Sequence, residues 1–200
     1  MKEKEIRKLD LQFRAEDTDD GKMEIKGYAA VFNSPETYGY TEILAPTAFD
    51  GADMSDVVLR YNHNDSFMVL ARTRNKSLNL EVDGRGLYMK ANLQDDITEH
   101  RDIFNAIKSQ LIDKQSFAFT VEEDNYDCDT DTRTITKIGK LFDVSVVDQP
   151  FYNATDVSVA RDINNSEFLA RREKIRKEYE EKQKQEELRK AKETLLKKLN

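Results

Sequence analysis

The sequence is poor in cysteine and contains no long hydrophobic run. Its single cysteine, Cys128, excludes an intrachain disulfide and any multi-cysteine zinc site, which fits a reducing cytoplasm. No stretch approaches the roughly 20 apolar residues that span a bilayer. The N-terminal stretch MKEKEIRKLDLQF also lacks an apolar run of signal-peptide length. The sequence therefore predicts a soluble protein that is not exported.

Charged residues are abundant but unevenly distributed along the chain. They make up 36% of the 200 residues, and the net charge is -7. Residues 166–200 hold 12 Lys or Arg against 8 Asp or Glu, so residues 1–165 carry a net charge of -11. A nucleic-acid-binding surface needs clustered Lys and Arg on the folded body. The acidic body therefore argues against nucleic acid as a partner.

Alternating apolar and polar residues predict a body built mostly of strands. The predicted strands cover residues 7–16, 22–32, 56–63, 77–83, 86–93, 116–123, 133–140, 141–148 and 156–160. One helix is predicted at 95–112, where apolar residues recur near helical spacing and Asp96 with Glu99 resembles a capping signal. The polar runs at 83–86 and 123–132 are predicted to connect paired strands.

The C-terminal part of the chain differs in composition from the body. From Ser166 onward it has no Gly or Pro and is rich in strong helix formers, which predicts a helix of about 50 Å. Its apolar residues lie towards the two ends and hold no single heptad register, which disfavours a long coiled coil. We expect a body at 1–162 and a charged, solvated helical tail at 163–200, whose apolar ends dock onto a partner.

The segment DKQSFAFTVE contains the first candidate for a catalytic residue. On a strand, Ser116, Ala118 and Thr120 share one face, while Phe117 and Phe119 lie on the other. One interpretation is an ordinary half-buried strand. The alternative is that the face of small residues leaves room for a substrate, with Ser116 as a nucleophile.

A serine nucleophile needs a positioned base and a carboxylate that orients the base. Of the two histidines, His63 ends a predicted strand, whereas His100 lies in the polar part of the predicted helix. A strand end backs a catalytic group rigidly and leaves it open to solvent, so His63 is the better candidate. Asp143 lies opposite the apolar face of LFDVSVVD, and Ser145 shares its face as a rival nucleophile. Surface or packing roles remain open for each of these residues.

The polar run around the cysteine carries weaker signals. Asp127, Asp129 and Asp131 have the spacing of a calcium loop, but the positions that require Gly and Glu hold other residues. A solvated hairpin loop is therefore favoured, and no metal or cofactor is expected. These carboxylates also disfavour a thiolate at Cys128.

Several motifs follow one another in an order that resembles the prohead maturation proteases of tailed phages. They are GYAAVFNS, EILAPTAFD, YNHND, a helix, KQSFAFTVEED and LFDVSVVDQPFYNATDVSVA, within residues 25–160. The resemblance implies an α+β, mostly β fold similar to that of the herpesvirus assembly protease, with a barrel-like antiparallel core flanked by helices. It also implies a serine endopeptidase that processes scaffold protein, major capsid protein or both during head maturation and that also cleaves itself.

The motifs of that family imply a role for three residues of this sequence. His63 corresponds to the base, Ser116 to the nucleophile and Asp143 to the acid. The family often has Glu where Asp143 stands, so the backbone must make up the reach of one methylene. Gln115 stands where the family has a small or apolar residue.

The resemblance also implies a setting for the protein. It places the chain in the host cytoplasm, inside the assembling procapsid, with capsid and scaffold proteins as partners. Neither nucleic acid nor a membrane is expected as a partner, because the body is acidic and no segment is long and apolar enough to span a bilayer. Homodimerisation is suggested by the herpesvirus relatives. The alternative function is a catalytically inactive scaffold or assembly protein of the prohead.

Overall fold

The computed structural model describes residues 2–9, 13–18, 21–148 and 165–199. Within these residues the elements follow in the order β1 (Lys4–Leu9), β2 (Phe13–Asp17), β3 (Met23–Val31), β4 (Glu36–Thr37), β5 (Thr41–Leu44), β6 (Val58–Tyr61), β7 (Ala71–Arg72), β8 (Leu78–Val82), β9 (Gly86–Leu93), α1 (Thr98–Lys108), β10 (Lys114–Asp127), β11 (Thr132–Val147) and α2 (Ser166–Leu199).

The described strands form two sheets. The larger sheet runs β1-β10-β11-β5-β4, with β6 also paired to β11 and β7 paired to β6. The smaller sheet runs β2-β3-β9-β8. The α+β, mostly β class is confirmed. The barrel-like core is not found among the described residues, because β1 and β4 end the larger sheet without meeting and because β11 pairs in parallel with β5 and β6.

Strand β11 is the centre of the larger sheet. One edge pairs with β10 along most of its length, with register shifts between Ala118 and Asp124. The other edge pairs in parallel with β5 near its start and with β6 near its end. The sequence predicted two strands here, at 133–140 and 141–148. They are one strand because neighbouring strands pair with the backbone along the whole segment, whatever its side-chain pattern.

The predicted strand at 7–16 is two strands in different sheets. Strand β1 pairs with β10 in the larger sheet, and β2 pairs with β3 in the smaller one. Both strands have the same period of two, so alternation along the sequence does not show where one sheet ends and the next begins. The other predicted strands correspond to β3, β6, β8, β9 and β10, and the one at 156–160 lies outside the described residues.

The apolar core lies between the two sheets and α1. Phe117 and Phe119 of β10 are fully buried, with stacked rings whose centroids are 4.7 Å apart. Helix α1 buries Phe104 and Ile107 against this core. The helix predicted from the apolar spacing is therefore confirmed. Its N-cap residue is Ile97, which makes no side-chain hydrogen bond to the first turn. The prediction that Asp96 caps the helix is therefore wrong.

His100 has a structural role in α1. It is 3% exposed, although the sequence placed it in the polar part of the helix. Its Nδ1 accepts a hydrogen bond of 3.1 Å from the backbone N–H of Gln94, and its Nε2 lies 3.1 Å from the carbonyl oxygen of Val69. Both ring nitrogens therefore bind backbone groups.

A buried charge cluster of Glu5, Arg7, Glu42, Asp124 and Arg133 joins β1, β5, β10 and β11. Arg7 Nη2 lies 2.8 Å from Glu42 Oε2, and Arg133 Nη2 lies 2.9 Å from Glu5 Oε1. Arg133 Nε also donates to Asp124 Oδ2 at 2.7 Å. Both guanidinium groups are 2% exposed. Charges so deeply buried are costly unless they are paired, so the cluster requires all four strands to assemble together.

The long helix expected at the C-terminus is confirmed as α2, and its first turns pack on the body. Phe168 is 3% exposed, and its ring centroid lies 4.1 Å from the guanidinium carbon of Arg133. Arg172 binds Asp131 through Nε at 2.8 Å, so one of the aspartates with calcium-loop spacing holds the helix instead. Residues 180–194 are exposed. The apolar start of the tail therefore docks on its own body.

None of the helices in the described part of the chain has the length and apolar character needed to cross a bilayer.

We predict that Arg133→Met lowers the free energy of unfolding by about 3–5 kcal/mol, because it leaves buried carboxylates without their cation. The measurement is urea unfolding followed by circular dichroism. The matched control is Arg189→Met, which removes an arginine whose side chain is 71% exposed on α2. Equal unfolding midpoints for the two variants would contradict a stabilising role for the cluster.

Candidate active site

Ser116, His63 and Asp143 are brought together at one end of the larger sheet. Ser116 lies on β10 and Asp143 on β11, in an antiparallel register that pairs Ser116 with Ser145. His63 follows the end of β6, which runs parallel to β11 with Val58 opposite Asp143. Strand β11 and its two neighbours therefore bring together three side chains that are far apart in the sequence. We call them the Ser-His-Asp cluster.

A continuous chain of hydrogen bonds connects the cluster. His63 Nδ1 lies 2.5 Å from Asp143 Oδ1, and His63 Nε2 lies 2.5 Å from Ser116 Oγ. A carboxylate only accepts hydrogen bonds, so the proton of a neutral imidazole belongs on Nδ1 and leaves Nε2 as an acceptor for the serine hydroxyl. This is the geometric order of a nucleophile, a base and a group that orients the base.

The backbone at His63 has an unusual conformation. Asn62 and His63 have φ angles of 54° and 53°, a left-handed region that non-glycine residues visit infrequently. The backbone N–H of Asn62 donates to the carbonyl oxygen of Val146 at 3.0 Å, and the N–H of Asp148 donates to Asn62 Oδ1 at 3.2 Å. The end of β11 thus holds the turn that aims the imidazole.

The carboxylate of Asp143 is buried and hydrogen-bonded at both oxygens. Its residue is 1% exposed. Its Oδ1 accepts hydrogen bonds from His63 Nδ1 and, at 2.9 Å, from the hydroxyl of Ser145. Its Oδ2 lies 3.2 Å from Lys4 Nζ. Burial alone raises the pKa of this carboxyl, but the hydrogen bond and charge of His63, the charge of Lys4 and the hydrogen bond of Ser145 outweigh it, so the pKa is lowered. Asp143 is therefore ionised at neutral pH.

Asp143 reaches His63 without the additional methylene of Glu. The turn at His63 begins directly after β6, and β6 is hydrogen-bonded to β11 over the segment that contains Asp143. Direct pairing of β6 with β11 therefore brings the backbone of His63 close enough for the shorter Asp side chain to reach the ring.

Ser116 is fully buried, and its hydroxyl has a second acceptor. Its Oγ lies 2.9 Å from the carbonyl oxygen of Arg7 on β1. A hydroxyl has one proton, so it donates either to His63 Nε2 or to this carbonyl. Ala118 on the same face is also fully buried. The open face of small residues expected from the sequence is therefore not found.

Two further side chains contact the cluster, and the sequence did not assign them these roles. The contact of Lys4 depends on β1 pairing beside β10, which no local pattern in the sequence indicates. The sequence makes Ser145 a rival nucleophile, because it shares a strand face with Asp143. Its Oγ lies 3.1 Å from His63 Nδ1, the nitrogen that Asp143 already binds, so it is poorly placed to transfer its proton to the histidine.

The side-chain amide of Gln115, immediately before Ser116, is buried without a hydrogen-bond partner. The residue is 1% exposed, and neither Oε1 nor Nε2 of its amide has a partner. An unsatisfied buried polar group costs about 1–3 kcal/mol. This side chain is a local source of instability next to the cluster.

Two open clefts of the body lie away from the cluster. One of about 370 Å³ lies between β1 and the start of α2, and one of about 460 Å³ lies between β2 and the end of α1. Neither is lined by Ser116, His63 or Asp143.

Over the part of the chain that the structure describes, no group of three or more His, Cys, Asp or Glu is placed to hold a metal ion.

Comparison with known proteins supports the resemblance seen in the motifs. Residues 9–168 match the model of a family described as caudovirus prohead serine protease. The chain is also 26% identical to the prohead protease of Enterobacteria phage HK97 over 156 residues, which cover 76% of this chain and 67% of that protein. No solved structure matches the chain.

We predict that Asp143 stabilises the protein above about pH 4 and that this contribution is lost as the pH falls. The pKa of Asp143 is lowered in the folded state, whereas an unfolded Asp titrates near 3.9. The stabilisation is therefore fully present above the unfolded pKa and disappears as the pH falls through the folded pKa. Urea unfolding of the wild type and Asp143→Asn between pH 2 and 7 measures this difference.

In that series, the stability gap between the two proteins should shrink below about pH 4. The exposed Asp50→Asn variant is the control. A gap that is constant with pH would show that the charge of Asp143 does not contribute.

We predict that Gln115→Met raises the free energy of unfolding by up to about 2 kcal/mol, because a side chain of similar shape removes the unpaired amide. The measurement is the urea midpoint, with the exposed Gln94→Met as the control for the substitution itself. A lower midpoint for Gln115→Met than for the control would mean that the amide is satisfied in solution.

Proposed function

Because the chain belongs to the caudovirus prohead serine protease family, we propose that it is a serine endopeptidase in which Ser116 is the nucleophile, His63 the base and Asp143 the orienting acid. The observation that carries this proposal is the pair of 2.5 Å contacts through the two nitrogens of His63. They order the three side chains as acyl transfer requires.

The proposed reaction proceeds through an acyl-enzyme. Ser116 Oγ attacks the scissile carbonyl carbon while His63 Nε2 takes the hydroxyl proton. The imidazolium that forms is stabilised by the ionised Asp143 and gives its proton to the leaving amine. Water then attacks the ester with His63 again as the base, and Ser116 is regenerated.

The burial of Ser116 places a condition on this reaction. A reacting carbonyl must come within about 3–3.5 Å of the nucleophile, yet Ser116 is fully buried. The productive complex therefore requires movement of the surrounding chain and release of the serine hydroxyl from the carbonyl of Arg7.

We further propose the biological setting that follows from the family. The substrates are the major capsid protein, the scaffold protein or both, and the enzyme also cleaves itself, inside the assembling procapsid in the host cell. The protease domain is the body at 1–162, and the tail at 163–200 recruits it to scaffold. The exposure of residues 180–194 supports such a role for the outer part of α2, and homodimerisation is a further proposal.

We predict that Ser116→Ala and His63→Ala each lower turnover by a factor on the order of a million, and that Asp143→Asn lowers it by a smaller factor, on the order of ten thousand. The reason is that the nucleophile and base take part in bond making, whereas the acid acts through the base. The measurement is intact mass over time, with the cognate scaffold and capsid proteins as substrates.

The exposed Ser55→Ala variant is the control and should cut like the wild type. Uncut masses in every sample, from protein shown to be folded, would contradict the protease and favour an inactive assembly protein of the prohead.

A further inference from the structure

Ser145 contacts both the base and the acid of the Ser-His-Asp cluster. It lies on β11, two residues after Asp143, and is 1% exposed. In the antiparallel register it is the direct partner of Ser116. Its side chain therefore shares the sheet face that carries the cluster.

The hydroxyl of Ser145 makes three contacts with the pair formed by His63 and Asp143. It donates to Asp143 Oδ1 at 2.9 Å and lies 3.1 Å from His63 Nδ1. It also accepts a hydrogen bond of 3.3 Å from the backbone N–H of His63. One oxygen atom thus connects the carboxylate, the ring and the backbone of the histidine.

We propose that Ser145 is a positioning residue that holds His63 and Asp143 in line with Ser116. This inference rests on the proposed protease function. The donated hydrogen bond limits rotation of the carboxylate, and the accepted one holds the backbone of His63 in the left-handed conformation that aims its ring. Such a conformation persists where the surrounding structure imposes it.

The same contacts distinguish this role from two others. As a nucleophile, Ser145 would need His63 Nε2 as its base, but that nitrogen faces Ser116. As a packing residue, it would need only its volume. The hydroxyl itself is therefore the feature to test.

The experiment compares the wild type with Ser145→Ala, which loses the hydroxyl, and Ser145→Thr, which keeps it. Thr120→Val is the matched control, because its hydroxyl accepts the backbone N–H of Lys140 at 3.1 Å on the same pair of strands, away from the cluster. The readouts are kcat and KM for cleavage, the rate at which a fluorophosphonate labels Ser116, and the proton resonance of His63 Nδ1.

We expect Ser145→Ala to lower kcat and the labelling rate by roughly 10- to 100-fold with KM unchanged, because a misplacement of about 1 Å costs on this order. The sharp downfield resonance of His63 Nδ1–H should broaden or disappear. Ser145→Thr and Thr120→Val should stay near wild-type values. If Ser145→Ala does not fold, Ser145→Cys, whose thiol is a weak donor, is measured in its place and should show the same losses.

The outcomes separate this inference from the function on which it rests. A wild type that neither cleaves nor labels would overturn the protease proposal. Normal wild-type labelling with an equal rate in Ser145→Ala would overturn the positioning role alone. A fluorophosphonate adduct on Ser145 would overturn both assignments, since it would make Ser145 the nucleophile.

Discussion

The pairing of β11 on both edges is the constraint on which the candidate site depends. Its antiparallel partner β10 carries Ser116, and its parallel partner β6 leads into the turn at His63. Asp143 lies on β11 itself. Backbone hydrogen bonds of a sheet hold neighbouring strands about 4.8 Å apart, so this pairing brings the three side chains within hydrogen-bond distance. A shift of β6 by one residue would turn every side chain of that strand to the opposite face.

The buried charge cluster connects this site to the two ends of the described chain. The side chain of Arg7 binds Glu42 within the cluster, while its carbonyl oxygen faces the hydroxyl of Ser116. Arg133 lies under the ring of Phe168 at the start of α2. The cluster therefore links β1, whose carbonyl oxygen at Arg7 faces Ser116, to the docked start of α2.

Much of the fold and the three members of the Ser-His-Asp cluster could be predicted from the sequence, because their signals are local or carried by a motif. Periodicity located α1 and most strands, and the ordered motifs singled out Ser116, His63 and Asp143. Which strands pair with one another could not be predicted in the same way. Nothing in residues 7–16 shows that β1 and β2 join different sheets. The alternation of apolar and polar residues in β11 likewise does not indicate its parallel pairing with β5 and β6.

The sequence by itself determined the class of the fold, the long charged helix and the identity of the residues proposed to react. Each depends on composition, on short-range spacing or on a motif. Only the tertiary structure decided that Ser116 is buried beside the carbonyl of Arg7 and that Ser145 joins His63 to Asp143. The physical reason is that hydrogen bonds between distant segments arise from strand register, which depends on how the whole chain packs.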